Sequence, residues 1–406
     1  MRQGEPRADV AVFRQTGYTK TGIGAAWFTA SGIPTGWTHQ FVSEPLLDLA
    51  RVTHGRLGRP RYKALFVEGD RFAANECTMT VAVARRLLEY AAEGLPIVLL
   101  GAWHQASLPG LGDPAELRAL LADLLARPSV RVVAAQADVP QALAELGVRP
   151  DVRYATSSTL LHARRTTGEA DYYYFCNGKH GENVKPPVAP IDHDVTLPRG
   201  GGVPYRMDSW SGRVEPIALY AEEADGIRLR VALQPGQATI VAVGRPGTGG
   251  RLPHAVATEA DLVRYAGGRL VARVSRAGAY ATTLAGGRVV TSVIGPVPEP
   301  VELSSWRLRV EDVRADGAYL ELGEVTDTCR VRINGRRLDP VDQIVRVVDA
   351  GPYLRSGRNT VEVEVATPLG NRLRVADPAV YSGLARQPYG LLGPVRLVPY
   401  GEAALG

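Results

Sequence analysis

The sequence contains no long apolar run. Its hydrophobic stretches are far shorter than the roughly 20 residues that a membrane-spanning helix needs, so no membrane partner is expected. The first residues, MRQGEPRAD, also lack the apolar core of a secretory signal. The chain as given is therefore expected to be cytoplasmic, or to be secreted if it is a fragment of a longer exported enzyme.

Lysine is scarce. Only four of the 47 basic residues are lysines, and the arginines are spread along the chain among 42 acidic residues. The net charge of +5 is therefore expected on a solvated surface, without the basic stripe that follows a phosphate backbone. Nucleic acid is not expected as a partner.

Cysteine is scarce as well. Cys77, Cys176 and Cys329 are odd in number and far apart, so they form neither a disulfide framework nor a metal-ligand spacing. The segments KHGE (179–182) and DHD (192–194) contain potential metal ligands, but no second cluster follows at a defined spacing. We expect no metal and no cofactor.

The first part of the chain alternates between strand and helix patterns. Apolar strand segments lie at 8–14, 62–68, 95–101 and 130–135, and helices are predicted at 79–94 and 113–126. Asp113 is the expected N-cap of the second helix, with Glu116 as its capping-box partner. This alternation predicts a parallel sheet covered on both faces, a flavodoxin-like α/β domain over residues 1–152.

From residue 151 onward, strand patterns follow one another without helices. Asn334-Gly335 favours a type I′ hairpin, and NTVEVEVA (359–366) alternates valine with glutamate, so that one face can be buried. The segment PVPEP (296–300) is a plausible linker. We therefore predict two β-sandwich domains, a middle one at 153–298 and a C-terminal one at 299–406.

The C-terminal motifs RVRINGR, PVDQ, YLR-x-G-x-NTVEVEVAT, NRLR and YGLLGPVRLVPY occur in one order. In this respect the chain resembles the α-L-rhamnosidase-like enzymes of glycoside hydrolase family 106. Further similarity in DVAVFRQ, YKALFVEGD, YYYFCN and W-x-G-x-x-x-P-I extends the resemblance over about 9–400. The resemblance implies that the last sandwich is a jelly-roll, galactose-binding-like domain.

The resemblance also implies that a catalytic barrel, with its carboxylates and a bound calcium, precedes the α/β domain in family members. The residues before Asp9 are too few for such a barrel, so we expect it to be absent from the chain as given. No position of this chain matches a catalytic motif of the family, so no catalytic residue is carried over. The expected partner is a carbohydrate, with a possible separate catalytic subunit, and the expected role is glycan binding, positioning or docking.

Glu68 and Asp70 are the candidate catalytic carboxylates, because they follow a predicted strand. Glycosidases use a pair of carboxyl groups, and ligands of open α/β sheets bind at the carboxyl ends of the strands. The alternative is that these side chains cap the following helix or solvate a loop. Cys77 precedes a predicted helix and could act as a nucleophile with His104 as base, although ANECTMT lacks the glycines of a nucleophile elbow.

Trp103, His104, Asp208 and Trp210 are the candidate binding residues. A flat indole suits the C–H face of a sugar, and a neighbouring imidazole or carboxylate can pair with hydroxyl groups. The alternatives, which we favour, are a Trp103 that is partly buried between domains and a Trp210 in the core of the middle sandwich.

A second function is compatible with the same residues. The chain could be a stand-alone enzyme that has recruited the scaffold to modify a glycosylated small molecule in a biosynthetic pathway, with a site between the α/β rim and the middle sandwich. A purely structural role in an assembly also stays open.

Overall fold

The computed structural model describes residues 3–14, 29–30, 33–34, 36–70, 76–110, 112–156, 158–178, 189–198, 202–244, 252–303, 309–310, 315–367 and 369–405. The chain falls into two compact units. Unit 1 comprises residues 1–202 and 222–250, and unit 2 comprises residues 203–221 and 251–406. The three-domain division at 152 and 298 stays a prediction. None of the described helices is long and apolar enough to cross a membrane.

The first half of the described chain contains fourteen strands and four α-helices. The strands are β1 Glu5–Arg7, β2 Val10–Arg14, β3 Thr29–Ala30, β4 Ile33–Pro34, β5 His39–Val42, β6 Val52–Thr53, β7 Arg56–Leu57, β8 Ala64–Glu68, β9 Ile97–Leu100, β10 Val130–Val133, β11 Arg153–Tyr154, β12 Leu160–Thr166, β13 Ala170–Asn177 and β14 Ile191–Pro198. The helices are α1 Glu44–Leu49, α2 Val81–Ala92, α3 Pro114–Leu125 and α4 Val139–Glu145, with 3₁₀ turns at Trp103–Gln105 and Gln136–Asp138.

The second half is almost entirely made of strands. They are β15 Pro204–Met207, β16 Val214–Pro216, β17 Ala221–Glu222, β18 Gly226–Leu233, β19 Ala238–Gly244, β20 Ala255–Thr258, β21 Leu262–Ala266, β22 Arg269–Val274, β23 Gly278–Leu284, β24 Val289–Ile294, β25 Val301–Glu302, β26 Arg309–Val310, β27 Gly317–Glu321, β28 Glu324–Thr326, β29 Cys329–Ile333, β30 Arg336–Arg337, β31 Val347–Asp349, β32 Gly357–Arg358, β33 Val361–Val365, β34 Gly390–Gly393 and β35 Arg396–Ala404. The helical elements are α5 Gly370–Ala376, α6 Pro378–Tyr381 and a 3₁₀ turn at Gly351–Tyr353.

Unit 1 contains a five-stranded sheet in the order β10-β9-β8-β2-β5, in which every neighbouring pair is parallel. Numbered along the chain, these strands have the order 2-1-3-4-5, which reverses direction between β2 and β8. The parallel sheet that the strand–helix alternation predicts is therefore confirmed.

The central strands β2, β8 and β9 bury apolar side chains on both faces, because helices cover both sides of the sheet. Phe13, Leu65 and Leu99 pack with α1, α2 and α3 in one core cluster. Val12 and Phe66, one residue away along their strands, pack with α4 in a second cluster. The start of α3 is set by local capping, since the Asp113 carboxylate accepts the Ala115 N–H at 2.8 Å as expected for an N-cap.

Unit 1 also contains antiparallel sheets. Strands β1, β12, β13 and β19 are consecutive neighbours in one sheet, and β11, β14 and β18 are neighbours in another. Along β13 the burial alternates, with Tyr173, Phe175 and Asn177 buried and the intervening residues half-buried. This period-2 pattern is that of strands with one face against a core.

Unit 2 is built around the sheet β21-β22-β35-β27-β31, in which β25 also pairs with β35. Strand β22 belongs to the predicted middle sandwich and β35 to the predicted last one, yet the two are hydrogen-bonded neighbours. The hairpin at Asn334-Gly335 forms as predicted, with φ values of 52° and 77°. The alternation in 359–366 is confirmed too, because Val361, Val363 and Val365 pack against the core while the glutamates are exposed.

One local expectation for the C-terminal region is wrong. The NRLR motif at 371–374, which the sequence places among strands, lies in helix α5. Its asparagine holds the segment in place, because the Asn371 side-chain amide donates to the Gln387 carbonyl at 2.6 Å. The backbone N–H of Asn371 also donates to the Tyr389 hydroxyl at 2.7 Å.

Candidate functional site

The first candidate region is the carboxyl edge of the parallel sheet, where the strand order reverses. Glu68 ends β8 and is in register with Arg14, which ends β2. Glu68 is completely buried, and its Oε1 lies 3.5 Å from the Arg14 Nε. The Arg14 guanidinium also lies 4.2 Å from the centre of the Phe41 ring. Such a reversal point is where open α/β sheets bind ligands.

The Arg14–Glu68 pair is suited to holding this edge together. Two charges removed from water are tolerated when they compensate each other, and the Phe41 ring adds a cation–π contact to the arginine. A general acid must, in contrast, reach a substrate within hydrogen-bonding distance. The complete burial of Glu68 favours a structural contribution by its carboxylate in this conformation.

Asp70 and Cys77 lie just beyond the same edge and are also buried. The Asp70 N–H donates to the Glu76 carbonyl at 2.8 Å, which closes a short antiparallel bridge. Burial raises the pKa of the Cys77 thiol to about 11, which disfavours the thiolate that a nucleophile requires. The His104 ring is exposed and forms no hydrogen bond to another described residue. The structure therefore gives Cys77 no activating base at His104.

Trp103 occupies the core. Its side chain is fully buried in the cluster beneath α2 and α3, and its indole N–H donates to the Leu100 carbonyl at 2.9 Å. No indole face is exposed for a sugar ring. Trp103 is also not the partly buried tryptophan between domains that the sequence favours, because it lies entirely within the core of the α/β part of unit 1 and its polar atom is satisfied there.

The second candidate region is the turn that joins β15 and β16, which carries Asp208 and Trp210. The Asp208 carboxylate accepts the Trp210 N–H at 2.9 Å and the Ser211 N–H at 2.7 Å. The Gly212 N–H donates to the Asp208 carbonyl at 2.9 Å, and the φ of Gly212 is +74°, which glycine adopts without strain. Asp208 thus holds the turn by a local side-chain cap.

Trp210 is 41% exposed on this turn. The expectation that Trp210 is the core aromatic of the middle sandwich is wrong, because its backbone lies at the apex of a hairpin that points its side chain to solvent. The hairpin is also anchored, since Arg213 forms an ion pair with Asp339 within the same unit. An exposed indole on a well-ordered turn is the arrangement that sugar stacking requires.

Sequence reasoning missed a buried charge network at the amino end of the parallel sheet. Asp9 is fully buried, accepts the Thr38 N–H and hydroxyl at 3.0 and 2.8 Å, and pairs with Lys63 at 2.9 Å. Its second oxygen accepts the Asp151 N–H at 2.9 Å. Because Asp9 and Asp151 are 142 residues apart in the chain, no local pattern reveals this contact.

The network continues into the antiparallel sheet through Asp151, which contacts Lys63 and also accepts from Arg164 at 2.6 Å. Burial opposes the ionisation of Asp151, but the charges of Lys63 and Arg164 outweigh it and hold the pKa of Asp151 below its ordinary value. Arg164 in turn donates to Asp171 at 2.8 Å. The chain of alternating charges ties the parallel sheet of unit 1 to β12 and β13.

Sequence reasoning also did not identify His162 and His193 of unit 1 as members of a hydrogen-bonded cluster. The Tyr154 hydroxyl lies 2.8 Å from His162 Nδ1, and burial lowers the pKa of His162 to about 4. His193 Nε2 lies 2.8 Å from the Ser158 hydroxyl, and its Nδ1 lies 3.1 Å from the Asp194 carbonyl. The Ser158 oxygen also accepts the Leu160 N–H at 3.2 Å, which is a turn contact that fixes the start of β12.

Within the described residues, no group of three or more histidine, cysteine, aspartate or glutamate side chains could hold a metal ion. The DHD segment lies on β14, where Asp192 and Asp194 each pair with an arginine of β18. The KHGE segment lies outside the described residues.

Comparison with known proteins finds a family similarity in the first part of the chain. Residues 1–186 match the α-L-rhamnosidase family, glycoside hydrolase family 106. The resemblance to these enzymes, drawn above from motifs, is confirmed. No curated protein matches the sequence.

The structure of a rhamnosidase from Novosphingobium sp. PP1Y is similar to this chain, with 22% identity and a TM-score of 0.66. The similarity covers 98% of this chain and 39% of the rhamnosidase, so the chain spans about two fifths of the length of that enzyme. The two share a fold over nearly all of this chain, with a parallel sheet and several antiparallel sheets.

Two other glycoside hydrolases are similar over smaller parts. An exo-carrageenase of family GH42 from Bacteroides ovatus has 11% identity and a TM-score of 0.33, covering 59% of this chain and 29% of its own. An α-L-fucosidase isoenzyme 2 from Paenibacillus thiaminolyticus has 9% identity and a TM-score of 0.35, covering 59% of this chain and 48% of its own. TM-scores this low do not establish a shared fold.

Proposed function

We propose that this chain is a carbohydrate-active protein of the α-L-rhamnosidase lineage with a glycan-binding or accessory role. The observation that carries the proposal is the rhamnosidase-like fold over 98% of the chain, which spans 39% of the solved rhamnosidase. In this proposal the chain binds or positions a neutral, rhamnose-containing glycan for a catalytic barrel on a separate subunit. The match of residues 1–186 to the rhamnosidase family supports the carbohydrate partner.

We propose the finer fold assignments on topological grounds. The parallel order 2-1-3-4-5 is that of flavodoxin-like sheets, which supports a flavodoxin-like domain at 1–152. The antiparallel sheets around β27, β29, β33 and β35 support a jelly-roll, galactose-binding-like domain at 299–406. A middle β-sandwich at 153–298 completes the proposed architecture.

The proposed glycan contact is the turn from Asp208 to Arg213, with Trp210 as the stacking platform. An aromatic face attracts the C–H groups of a sugar ring and loses little conformational entropy when the backbone beneath it is already ordered. Asp208 provides that order by capping the turn. Because the proposed ligand is neutral, binding at this turn is expected to be weak and insensitive to salt.

In the same proposal Glu68 and Asp70 do not act as the catalytic pair of a glycosidase. Their burial supports a structural contribution at the edge of the parallel sheet, where Arg14 compensates the charge of Glu68. The proposal therefore assigns no hydrolytic step to the described residues of this chain.

Replacing Trp210 with alanine is expected to weaken the binding of a rhamnose-containing oligosaccharide about tenfold, which corresponds to ~1.4 kcal/mol. The variant should fold normally, because the side chain is exposed on a turn that Asp208 holds through backbone N–H groups. Isothermal titration calorimetry or ligand-observed NMR measures the affinity, and the thermal midpoint checks folding.

Two further variants make this test specific. Trp210→Phe keeps an aromatic face and should retain most of the affinity. Val214→Ala removes apolar surface from the same hairpin, at a residue that is 54% exposed, and should leave binding unchanged. Unchanged affinity in a folded Trp210→Ala protein would remove the turn as the glycan site.

A further inference from the structure

A shallow cavity of about 260 Å³ opens on unit 1 beside the β6–β7 hairpin. Its lining includes Arg7, Arg56, Arg59 and Arg61, and Glu5 is the acidic residue among the lining side chains. Four guanidinium groups against one carboxylate give this pocket a formal excess of three positive charges. The pocket belongs to unit 1, whereas the Trp210 turn belongs to unit 2.

The backbone that carries these arginines is held by a pair of tight turns. His54 and Gly55 have φ values of 52° and 67° and close the β6–β7 hairpin. A second turn follows, in which the Arg61 N–H donates to the Gly58 carbonyl at 3.1 Å. Leu57 and Tyr62 exchange two backbone hydrogen bonds of 3.0 Å, and both side chains are buried. The arginines are therefore presented on an ordered frame.

The four arginines differ in their partners. Arg7 Nη1 donates to the Arg59 carbonyl at 2.8 Å, and Arg7 and Arg59 each lie 3.4 Å from a carboxylate oxygen of Glu5. The guanidinium groups of Arg56 and Arg61, in contrast, form no hydrogen bond or ion pair with any described residue. The side chain of Arg56 is half-buried.

Unpaired guanidinium groups gathered in one pocket favour an anion. Each presents five N–H donors in a planar fork that matches the two oxygens of a carboxylate, and bringing a negative charge between them relieves their mutual repulsion. The cavity is smaller than the roughly 300–1,000 Å³ of pockets for drug-sized ligands, so it suits one small anionic group or one sugar unit.

We propose that this pocket binds the carboxylate of a uronic acid unit in an acidic glycan, with Arg56 and Arg61 as the principal contacts. This inference rests on the proposed carbohydrate partner and adds a second, charged subsite to the neutral one at Trp210. A carboxylate-bearing unit would be held by charge-assisted hydrogen bonds, and this part of the affinity falls as the salt concentration rises.

The test is a titration of the whole chain with a galacturonic acid oligosaccharide at low and high salt. The double variant Arg56→Ala/Arg61→Ala is expected to lose at least tenfold in affinity at low salt. The matched control is Arg118→Ala/Arg127→Ala, which removes the same charge from exposed positions around α3 and should bind like the unchanged protein. Equal thermal midpoints for the two double variants show that folding is intact.

Parallel titrations with other ligands identify the ligand and distinguish a failure of this inference from a failure of the proposed function. Inorganic phosphate that binds the pocket while the oligosaccharide does not would overturn the glycan assignment. Equal oligosaccharide affinity in the two double variants would overturn the pocket. A neutral rhamnose-containing oligosaccharide, titrated in parallel, reports on the Trp210 turn alone and should bind the Arg56→Ala/Arg61→Ala variant normally.

Discussion

Replacing Arg273 with alanine is expected to destabilise unit 2 by about 3–5 kcal/mol, because the change removes a buried cation that pairs with two half-buried carboxylates. Asp349 loses its arginine, and Glu402 keeps only its ion pair with Arg264. Arg273 lies on β22 and is 2% exposed. Its Nε donates to Glu402 at 2.8 Å, and its Nη1 donates to Asp349 at 2.9 Å. One guanidinium thus joins β22 to β31 and β35.

Aromatic side chains complete the environment of Arg273. The guanidinium carbon lies 3.6 Å from the centre of the Tyr400 ring, and Nη1 also donates to the Tyr319 hydroxyl at 2.7 Å. The Tyr400 hydroxyl donates a hydrogen bond to Asp349 at 2.8 Å. The same hydroxyl packs against Gly317, where a Cβ atom would clash with it. These contacts outweigh the burial of the charge, and the pKa of Arg273 is raised above its ordinary value.

Arg269→Ala is the matched control for Arg273→Ala. It removes an exposed arginine from the same strand and should change stability by no more than about 0.5 kcal/mol. Urea denaturation gives the free energy of unfolding, and hydrogen–deuterium exchange of peptides from β22 and β35 assigns the loss to unit 2. If the two alanine variants proved equally stable, the buried cluster would not be what holds these strands together.

Replacing Asp9 with alanine is expected to destabilise unit 1 by a similar amount, about 3–5 kcal/mol. The variant leaves Lys63 with one of its two carboxylates and deprives the N–H groups of Thr38 and Asp151 of their acceptor. Burial raises the pKa of Asp9, whereas Lys63 and the hydrogen bonds act in the opposite direction. The loss comes from unsatisfied polar groups as well as from the missing charge.

Asp225→Ala provides the contrast for Asp9→Ala. Asp225 also pairs with an arginine, Arg153, but its side chain is 63% exposed. An exposed ion pair is screened by water and contributes little to stability, so this variant should unfold close to the unchanged protein. The two urea midpoints are compared in the same buffer. A loss of less than 1 kcal/mol in Asp9→Ala would contradict the account of the network.

Local features of the fold could be predicted from the sequence because nearby residues determine them. The Asp113 cap, the Asn334-Gly335 hairpin and the valine–glutamate alternation of 361–365 each depend on a few consecutive residues. The parallel sheet follows from the same kind of pattern, since its central strands are short apolar runs that alternate with helix patterns along the chain.

Contacts between distant segments could not be predicted in this way. Nothing in the sequence around Asp9 indicates Asp151 as a neighbour. The sequence also does not distinguish Arg273 from the many surface arginines, because its burial depends on the pairing of β22 with β35. The exposure of Trp210 was missed for a different reason, because an aromatic residue between two strands is compatible with either a core or a turn. The Asp208-x-Trp-Ser-Gly spacing was the available signal for the turn.

The most direct test of the central claim is an assay of the purified chain with an aryl α-L-rhamnoside, run beside a titration with a rhamnose-containing glycan. The account predicts measurable glycan binding and no release of the aryl alcohol above the buffer rate. Release that increases in proportion to the concentration of the pure chain would contradict a non-catalytic, accessory role.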